Sequence, residues 1–271
     1  MFETLTEAEW DRVDRGWELL ESGELEAARA AVDELLKIRG RHADVAILDA
    51  ALAIEEGRPE QSLEALQAAA ESADPALFFH IRALAHFHLV QVEAARADTD
   101  RALAIRPHLP EAHALLAKIH DFLGETQRAA EHSREAYELD PEGFPLPMEM
   151  DDEAFDHLVE DSLRELPVRV REPLEEIAVL VEPMPSRAML TSERPPLPPD
   201  ILGLFVGRHL LERQHDDLPS SPGAIHLFRR NLLRVCKDRD ELVHEIRVTV
   251  QHEVGHLLGL DEDDLEEWGL A

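Results

Sequence analysis

The sequence predicts a multi-domain protein in which an all-α repeat array is followed by a small α+β domain. Three observations lead to this prediction. Small residues recur at intervals of 33 or 34 between positions 16 and 136. A proline-rich stretch then interrupts the helical pattern. Beyond it, amphipathic helical patterns alternate with short apolar runs suited to buried strands. We therefore expect a repeat domain at 1–141, a linker at 142–150 and a second domain at 151–271.

The repeat array rests on three columns of mostly small residues that share one register. These columns are Gly16, Ala50, Ala83 and Ala117; Ala28, Ser62, Ala95 and Ala129; and Leu35, Ala69, Ala102 and Ala136. Gly23, Gly57 and Gly124 fall where a turn between paired helices is expected. Small side chains allow the two helices of a hairpin to approach closely, and about four such pairs are enough to form a continuous core.

This period, with proline at Pro107 and Pro141, resembles the tetratricopeptide repeat (TPR). The resemblance implies an α-helical superhelix whose groove binds a protein or a peptide. His86 and His120 occupy the phase at which this repeat usually carries a packed tyrosine, so we expect a structural role for both. Within residues 9–141 we predict no catalytic residue.

The second domain carries its chemistry near position 252, in the motif HExxH. Four residues advance a helix by roughly 400° and 6 Å, so His252 and His256 stand on one face and can meet one metal ion. Glu253 lies beside them, where a carboxylate could take a proton from water. Asp238 with Glu241 predicts the start of this helix. The helix has an apolar stripe at intervals of four, formed by Leu242, Ile246, Val250 and Val254.

The residues after the motif suggest a third metal ligand. Gly259 can end the helix in a left-handed conformation and allow the chain to fold back. This turn would bring Asp261 or Glu262 toward the metal, and two histidines with one carboxylate form a known three-ligand zinc set. The opposing interpretation is a surface helix with two solvated histidines and an acidic tail.

The segment HEVGHLLGLDEDDL resembles the active-site segment of the small bacterial zincin-like metallopeptidases, compact domains long classed as a domain of unknown function. The order of HLVEDSLRELP after Phe155, IAVLVEP, ILGLFVG and AIHLFRRNLL is similar to that family over about the last 120 residues. Position 262, where metzincins carry a third histidine, is Glu262 here. The resemblance implies Zn²⁺ held by His252, His256 and Glu262, with Asp261 as the alternative ligand, and Glu253 as the catalytic base.

Two other segments bear on the predicted site. Residues 183–199 carry six prolines and are predicted to be a loop, either a flap over the catalytic cleft or an ordinary surface excursion. Ala224 to Phe228 is a strand candidate that we expect to align extended substrate beside the metal helix. Arg229, His244 and Arg247 are candidates for stabilising an oxyanion, each with a solvated or packing role as the alternative.

Composition restricts the class of partner. The formal charge of −31 argues against nucleic acid and against anionic membrane surfaces, whose phosphates would be repelled. Cys236 is the sole cysteine, which excludes an intramolecular disulfide and a thiol-based zinc site. No basic leader and no apolar run of about 20 residues is present, so we expect a cytoplasmic protein. A bacterial source is implied only by the family resemblance.

Taken together, these features predict a zinc-dependent metallopeptidase that uses its TPR domain to recognise a protein or peptide. The alternative is a non-catalytic TPR adaptor whose metal site is structural or vestigial. A structural zinc site is normally closed by four protein ligands, whereas a catalytic one keeps an open position. The number of ligands therefore distinguishes the two.

Overall fold

A computed structural model describes residues 4–40, 42–69, 72–175, 177–192, 194–207 and 223–260. The chain divides into two compact units. The first, the repeat unit, comprises Met1–Phe144 and Leu190–Pro198, and the second, the C-terminal unit, comprises Pro145–Met189 and Pro199–Ala271. Within the predicted linker at 142–150, the Met148 N–H donates to the Leu233 carbonyl at 2.8 Å, so part of that linker packs in the C-terminal unit.

The repeat unit consists of four consecutive helix pairs, as the 34-residue period predicts. The pairs are α1 (Glu7–Glu21) with α2 (Leu25–Arg39), α3 (Ala43–Glu55) with α4 (Pro59–Ala69), α5 (Pro75–His88) with α6 (Val92–Ile105), and α7 (Pro110–Phe122) with α8 (Thr126–Leu139). Gly23, Gly57 and Gly124 occupy three of the turns with φ of 76°, 72° and 74°. In the third pair the equivalent residue is Val90, which is buried and takes φ 58°.

All twelve positions of the three columns are buried, which confirms the register read from the sequence. The small residues also serve contacts between successive pairs. A Cβ added at Gly16 in α1 would lie 2.5 Å from Leu48 Cδ2 in α3, the first helix of the next pair. A capping box begins α1, because the Glu9 carboxylate accepts from the Thr6 N–H at 2.8 Å.

The two histidines of the tyrosine phase have equivalent structural contacts. His86 Nδ1 lies 2.7 Å from Gln91 Oε1, and His120 Nδ1 lies 2.7 Å from Glu125 Oε2. In each case the partner is five residues further on, at the N-cap of the second helix. Each histidine therefore ties the two helices of its hairpin together across the turn.

The C-terminal unit is an α+β structure with a three-stranded sheet, which confirms the predicted fold class. Its elements are α9 (Asp152–Arg164), α10 (Val168–Leu174), β1 (Ala178–Glu182), α11 (Arg187–Leu190), β2 (Gly203–Val206), β3 (Ala224–Phe228), α12 (Arg229–Val235) and α13 (Arg239–Leu258). The strand order is β1-β3-β2. β3 runs parallel to β1 and antiparallel to β2, with Gly203 opposite Leu227 and Phe205 opposite Ile225.

One core joins the sheet to the long helix α13. It includes Phe155, Ile225, Leu227, Leu232, Leu242, Ile246, Val250, Val254 and Leu257. The predicted apolar stripe of α13 thus faces the sheet and α9. This packing leaves another side of the helix for the two histidines of the motif.

Two sequence predictions for residues 151–271 are wrong in detail. Residues 183–199 were expected to be entirely loop, yet Arg187–Leu190 forms one helical turn. Ala224 to Phe228 forms the predicted strand, but β3 is the central strand of the described sheet. Both of its edges are already paired, so it cannot receive an extended substrate by backbone pairing. β2 is the edge strand that contacts α13.

Within the ranges that the structure describes, no helix combines the length and the apolar character needed to cross a bilayer.

Candidate metal and catalytic site

The helix that carries the HExxH motif begins and ends as its sequence predicts. The Asp238 carboxylate accepts from the Glu241 N–H at 2.9 Å, satisfying a donor of the first turn. At the other end Gly259 takes φ 81°, and the next residue, Leu260, donates its N–H to the Gly255 carbonyl at 3.0 Å. This left-handed C-terminal cap turns the chain away from the helix axis directly after the motif.

The two histidines of the motif converge through the same ring nitrogen. His252 Nε2 and His256 Nε2 lie 3.0 Å apart, and the two rings are nearly perpendicular at 88°. Both side chains are half-buried. Two nitrogens bound to one tetrahedral zinc at about 2.0–2.1 Å lie about 3.4 Å from each other. The observed separation is close to that value, so the pair fits two positions of a zinc site.

Glu253 points toward strand β2 of the sheet. Its side chain is 7% exposed, and its Oε2 accepts from the Phe205 N–H at 2.6 Å. Phe205 lies in the edge strand β2, so a backbone donor of the strand fixes the carboxylate of the motif. A short bond of this kind to a charged acceptor is stronger than one between neutral groups.

Strand β2 can approach the helix this closely because of Gly203. A Cβ at this position would lie 2.5 Å from Thr249 Cγ2 and 3.5 Å from Glu253 Cγ. Thr249 lies one turn before the motif on α13. The absence of a side chain at Gly203 therefore sets the distance between β2 and the helix that carries Glu253.

The third metal ligand is not found among the described residues. Asp261 and Glu262, the two sequence candidates, lie outside them. In the described ranges no group of three histidine, cysteine or carboxylate side chains is close enough to hold a metal ion. The two imidazoles are thus the part of the predicted ligand set that the structure brings together.

The remaining sequence candidates have other contacts. Arg229 pairs with Asp152, and Arg247 pairs with Glu165, so each guanidinium ties α9 or the residue after it to another helix of the unit. His244 is exposed on α13. Cys236 is buried, and desolvation with nearby carboxylates raises the pKa of its thiol to about 11, which keeps it protonated near neutral pH.

Two contacts of the C-terminal unit escaped the sequence analysis. The Phe205 N–H is a backbone donor and leaves no side-chain signature, although the glycine in ILGLFVG marks the place where the strand approaches the helix. His226 of β3 bonds through Nδ1 to Glu182 Oε1 of β1 at 2.9 Å. Its neighbours Ile225 and Leu227 face the core with α13, so alternation puts His226 on the opposite face of the sheet.

Comparison with known proteins identifies two families in the chain. Residues 174–270 match the family described as Zincin-like metallopeptidase, and residues 110–142 match the Tetratricopeptide repeat. The predicted order, TPR repeats followed by a zincin-like region, is confirmed. A search of the curated proteins finds no match.

Three solved structures are similar to part of the chain. "Crystal structure of MamA" has 22% identity and a TM-score of 0.37, and covers 46% of this chain and 74% of its own. "Crystal structure of MamA protein" and "MamA RS-1 ArsTM double mutant" each have 21% identity and a TM-score of 0.39. Both cover 51% of this chain, and 75% and 78% of their own chains, respectively. At these TM-scores the similarity supports no conclusion about function.

Proposed function

We propose that the zincin-like region is a zinc-dependent metallopeptidase and that the TPR unit recognises the protein or peptide it cleaves. The observation that carries this proposal is the convergence of His252 Nε2 and His256 Nε2 at 3.0 Å. The family match at 174–270 supports the same class of reaction. We place the protein in the cytoplasm, in line with its single, buried cysteine.

The residues divide into ligands and a base. His252, His256 and Glu262 are proposed to hold zinc, with Asp261 as the alternative to Glu262. Three protein ligands leave a position open, which favours catalysis over a structural role. Bound zinc supplies a Lewis acid that polarises the scissile carbonyl and lowers the pKa of water toward about 7.

Glu253 is proposed to move the proton. Its carboxylate takes the proton from the attacking water and later delivers it to the leaving amine. The Phe205 N–H holds Oε2, so the carboxylate keeps one orientation. Burial of Glu253 at 7% exposure further restricts its rotamers.

Strand β2 is proposed to align the substrate, in place of the central strand β3. The Phe228 N–H donates to the Leu202 carbonyl at 2.9 Å. In the antiparallel ladder, the backbone N–H and carbonyl groups of residues 202, 204 and 206 are therefore directed toward β3. Gly203 and Phe205 then direct their backbone groups to the outer edge, where the Phe205 N–H already donates to Glu253 Oε2 and so does not pair with a peptide. An extended peptide that pairs with Gly203 on this edge would lie beside Glu253.

Metal content is the first test. We expect the purified protein to carry about one zinc per chain by inductively coupled plasma mass spectrometry, and His256→Ala to lose it. His244→Ala, on the same helix but exposed, is the matched control and should retain zinc. If neither the wild type nor the control binds zinc after zinc is supplied, the metallopeptidase proposal is wrong and the adaptor alternative is favoured.

The base and the third ligand need separate variants. Glu253→Gln should retain zinc but lose the new N-termini that the wild type creates in a proteome-derived peptide library, identified by mass spectrometry. Wild-type cleavage by Glu253→Gln would exclude it as the base. Glu262→Ala should weaken zinc binding more than Asp261→Ala, and the reverse order would make Asp261 the ligand.

A further inference from the structure

A cavity of about 520 Å³ opens in the repeat unit along α1, α3 and α5, which are the first helices of the first three pairs. Its apolar wall includes Trp17 and Leu20 of α1, Ile54 of α3, and Ile81 and Leu84 of α5. A volume of this size is typical of sites that accept a large side chain or a small ligand. The wall is thus contributed by three successive helix pairs, and each presents apolar side chains to the same space.

The rim of the cavity is acidic. Glu21, Glu55 and Glu111 line it, and all three are exposed. Arg106 is the only lysine or arginine among its described lining residues, and its guanidinium is already bonded to Asp74 Oδ2 at 2.6 Å. The rim therefore presents three carboxylates to a ligand, while Arg106 is already paired with Asp74.

His80 adds a buried polar group to the same cavity. Its side chain is 5% exposed, and Nδ1 has no hydrogen-bond partner in the described part of the chain. Burial lowers the pKa of His80 to about 4, so the imidazole is neutral near pH 7 and does not oppose a cation. A buried nitrogen without a hydrogen-bond partner is unfavourable.

We propose that this cavity binds a peptide segment that inserts one large apolar side chain and places lysine or arginine against the acidic rim. Charge decides the class of ligand, because carboxylates without free cations attract basic segments and repel acidic ones. The net charge of −31 acts in the same direction at longer range. The inference rests on the proposed function only in taking this segment as part of the peptidase substrate.

The binding test uses the full chain carrying Glu253→Gln, so that no probe is consumed. The probe is a short fluorescein-labelled peptide with a central leucine flanked by lysines, and binding is followed by fluorescence anisotropy. We expect it to bind more weakly as salt rises, because exposed charges are screened beyond a Debye length of about 8–10 Å. Glutamates in place of the lysines, or serine in place of the leucine, should each weaken binding at least about tenfold.

Matched variants locate the site. Glu21→Lys with Glu55→Lys should weaken binding of the lysine peptide by about tenfold or more. Glu26→Lys with Glu60→Lys changes the net charge equally, but on the second helices and outside the cavity, and should bind as the parent does. All four glutamates are exposed, so the variants are expected to fold, which circular dichroism checks.

Tryptophan fluorescence gives an independent readout. Trp17 lines the cavity and Trp10, on the same helix, does not. A fluorescence change on adding unlabelled peptide should disappear in Trp17→Phe and persist in Trp10→Phe.

Three results would overturn this proposal. They are absence of binding by the lysine peptide, equal binding of the glutamate peptide, and equal binding by the rim variant and its control. None of them depends on zinc, and binding should be unchanged by a chelator. If the lysine peptide does not bind but the protein binds zinc and cleaves peptides, this inference is wrong and the peptidase proposal stands. If the lysine peptide binds but the protein neither binds zinc nor cleaves, the peptidase proposal is wrong and this inference stands.

Discussion

The contact between β2 and α13 can be tested by adding one methyl group at Gly203. In Gly203→Ala the new Cβ would lie 2.5 Å from Thr249 Cγ2 and 3.2 Å from the His226 carbonyl oxygen. Thr249 is buried, helical and β-branched, so its methyl group has little freedom to rotate away. The strand must therefore move away from the helix.

The size of the effect follows from two losses. Overpacking of this kind costs about 1–3 kcal/mol. Movement of β2 also lengthens the 2.6 Å bond from the Phe205 N–H to Glu253, and hydrogen bonds to charged groups contribute about 1.5–3 kcal/mol. Because the two losses share one displacement, we expect the free energy of opening of the C-terminal unit to fall by about 2 kcal/mol.

Hydrogen–deuterium exchange with mass spectrometry measures this change segment by segment. Amides of β3 and α13 that exchange through opening of the unit should do so about 30-fold faster in Gly203→Ala. Zinc binding should persist because His252 and His256 are untouched, whereas cleavage should fall as Glu253 is displaced. Thr249→Ala removes the obstructing methyl group, so the double variant should recover most of the protection.

The control variant introduces an equally short contact in the repeat unit. In Gly16→Ala the added Cβ would lie 2.5 Å from Leu48 Cδ2, the far end of a longer side chain in the repeat unit. We expect a smaller loss of protection, confined to repeat-unit peptides. Wild-type exchange of β3 and α13 in Gly203→Ala, or no recovery in the double variant, would refute the proposed contact.

Two further predictions concern the repeat unit. Ser62→Ala should raise stability by about 1 kcal/mol, measured as a higher Tm, because the fully buried Ser62 Oγ has no hydrogen-bond partner among the described residues and the other positions of its column are alanine. The pKa of His80 is lowered from 6.5 to about 4, so between these values the unfolded chain binds the proton and the folded chain does not. Stability should therefore decline as pH falls from 6.5 toward 4, and urea unfolding of His80→Leu near neutral pH and near pH 5 should show a smaller decline than the wild type.

The sequence predicted those features that depend on local pattern. The columns through Ala50, Ala83 and Ala117 located four helix pairs because every repeat must bury the same phase against its neighbours. The ends of α13 followed from Asp238 and Gly259 for the same local reason, since each satisfies backbone groups within one turn.

The features that the sequence did not predict depend on distant pairing. The run from Ala224 to Phe228 identified a strand but contained no information on its two neighbours, which lie 18 or more residues away. The partner of Glu253 was hidden because it is a backbone N–H at Phe205, 48 residues earlier. Val90 adopts the turn conformation of its glycine counterparts, which its sequence did not predict because a β-branched residue rarely takes a positive φ.

The bond between Phe205 and Glu253 has a consequence for fidelity. The strand proposed to receive the substrate also holds the group proposed to move the proton, so the two cannot shift independently. A peptide that pairs with β2 one residue out of register presents its side chains to the opposite face. Any strain that this mismatch puts on the strand is transmitted to the carboxylate. The proposed peptidase would then cleave only those substrates whose alignment on β2 leaves Glu253 in place.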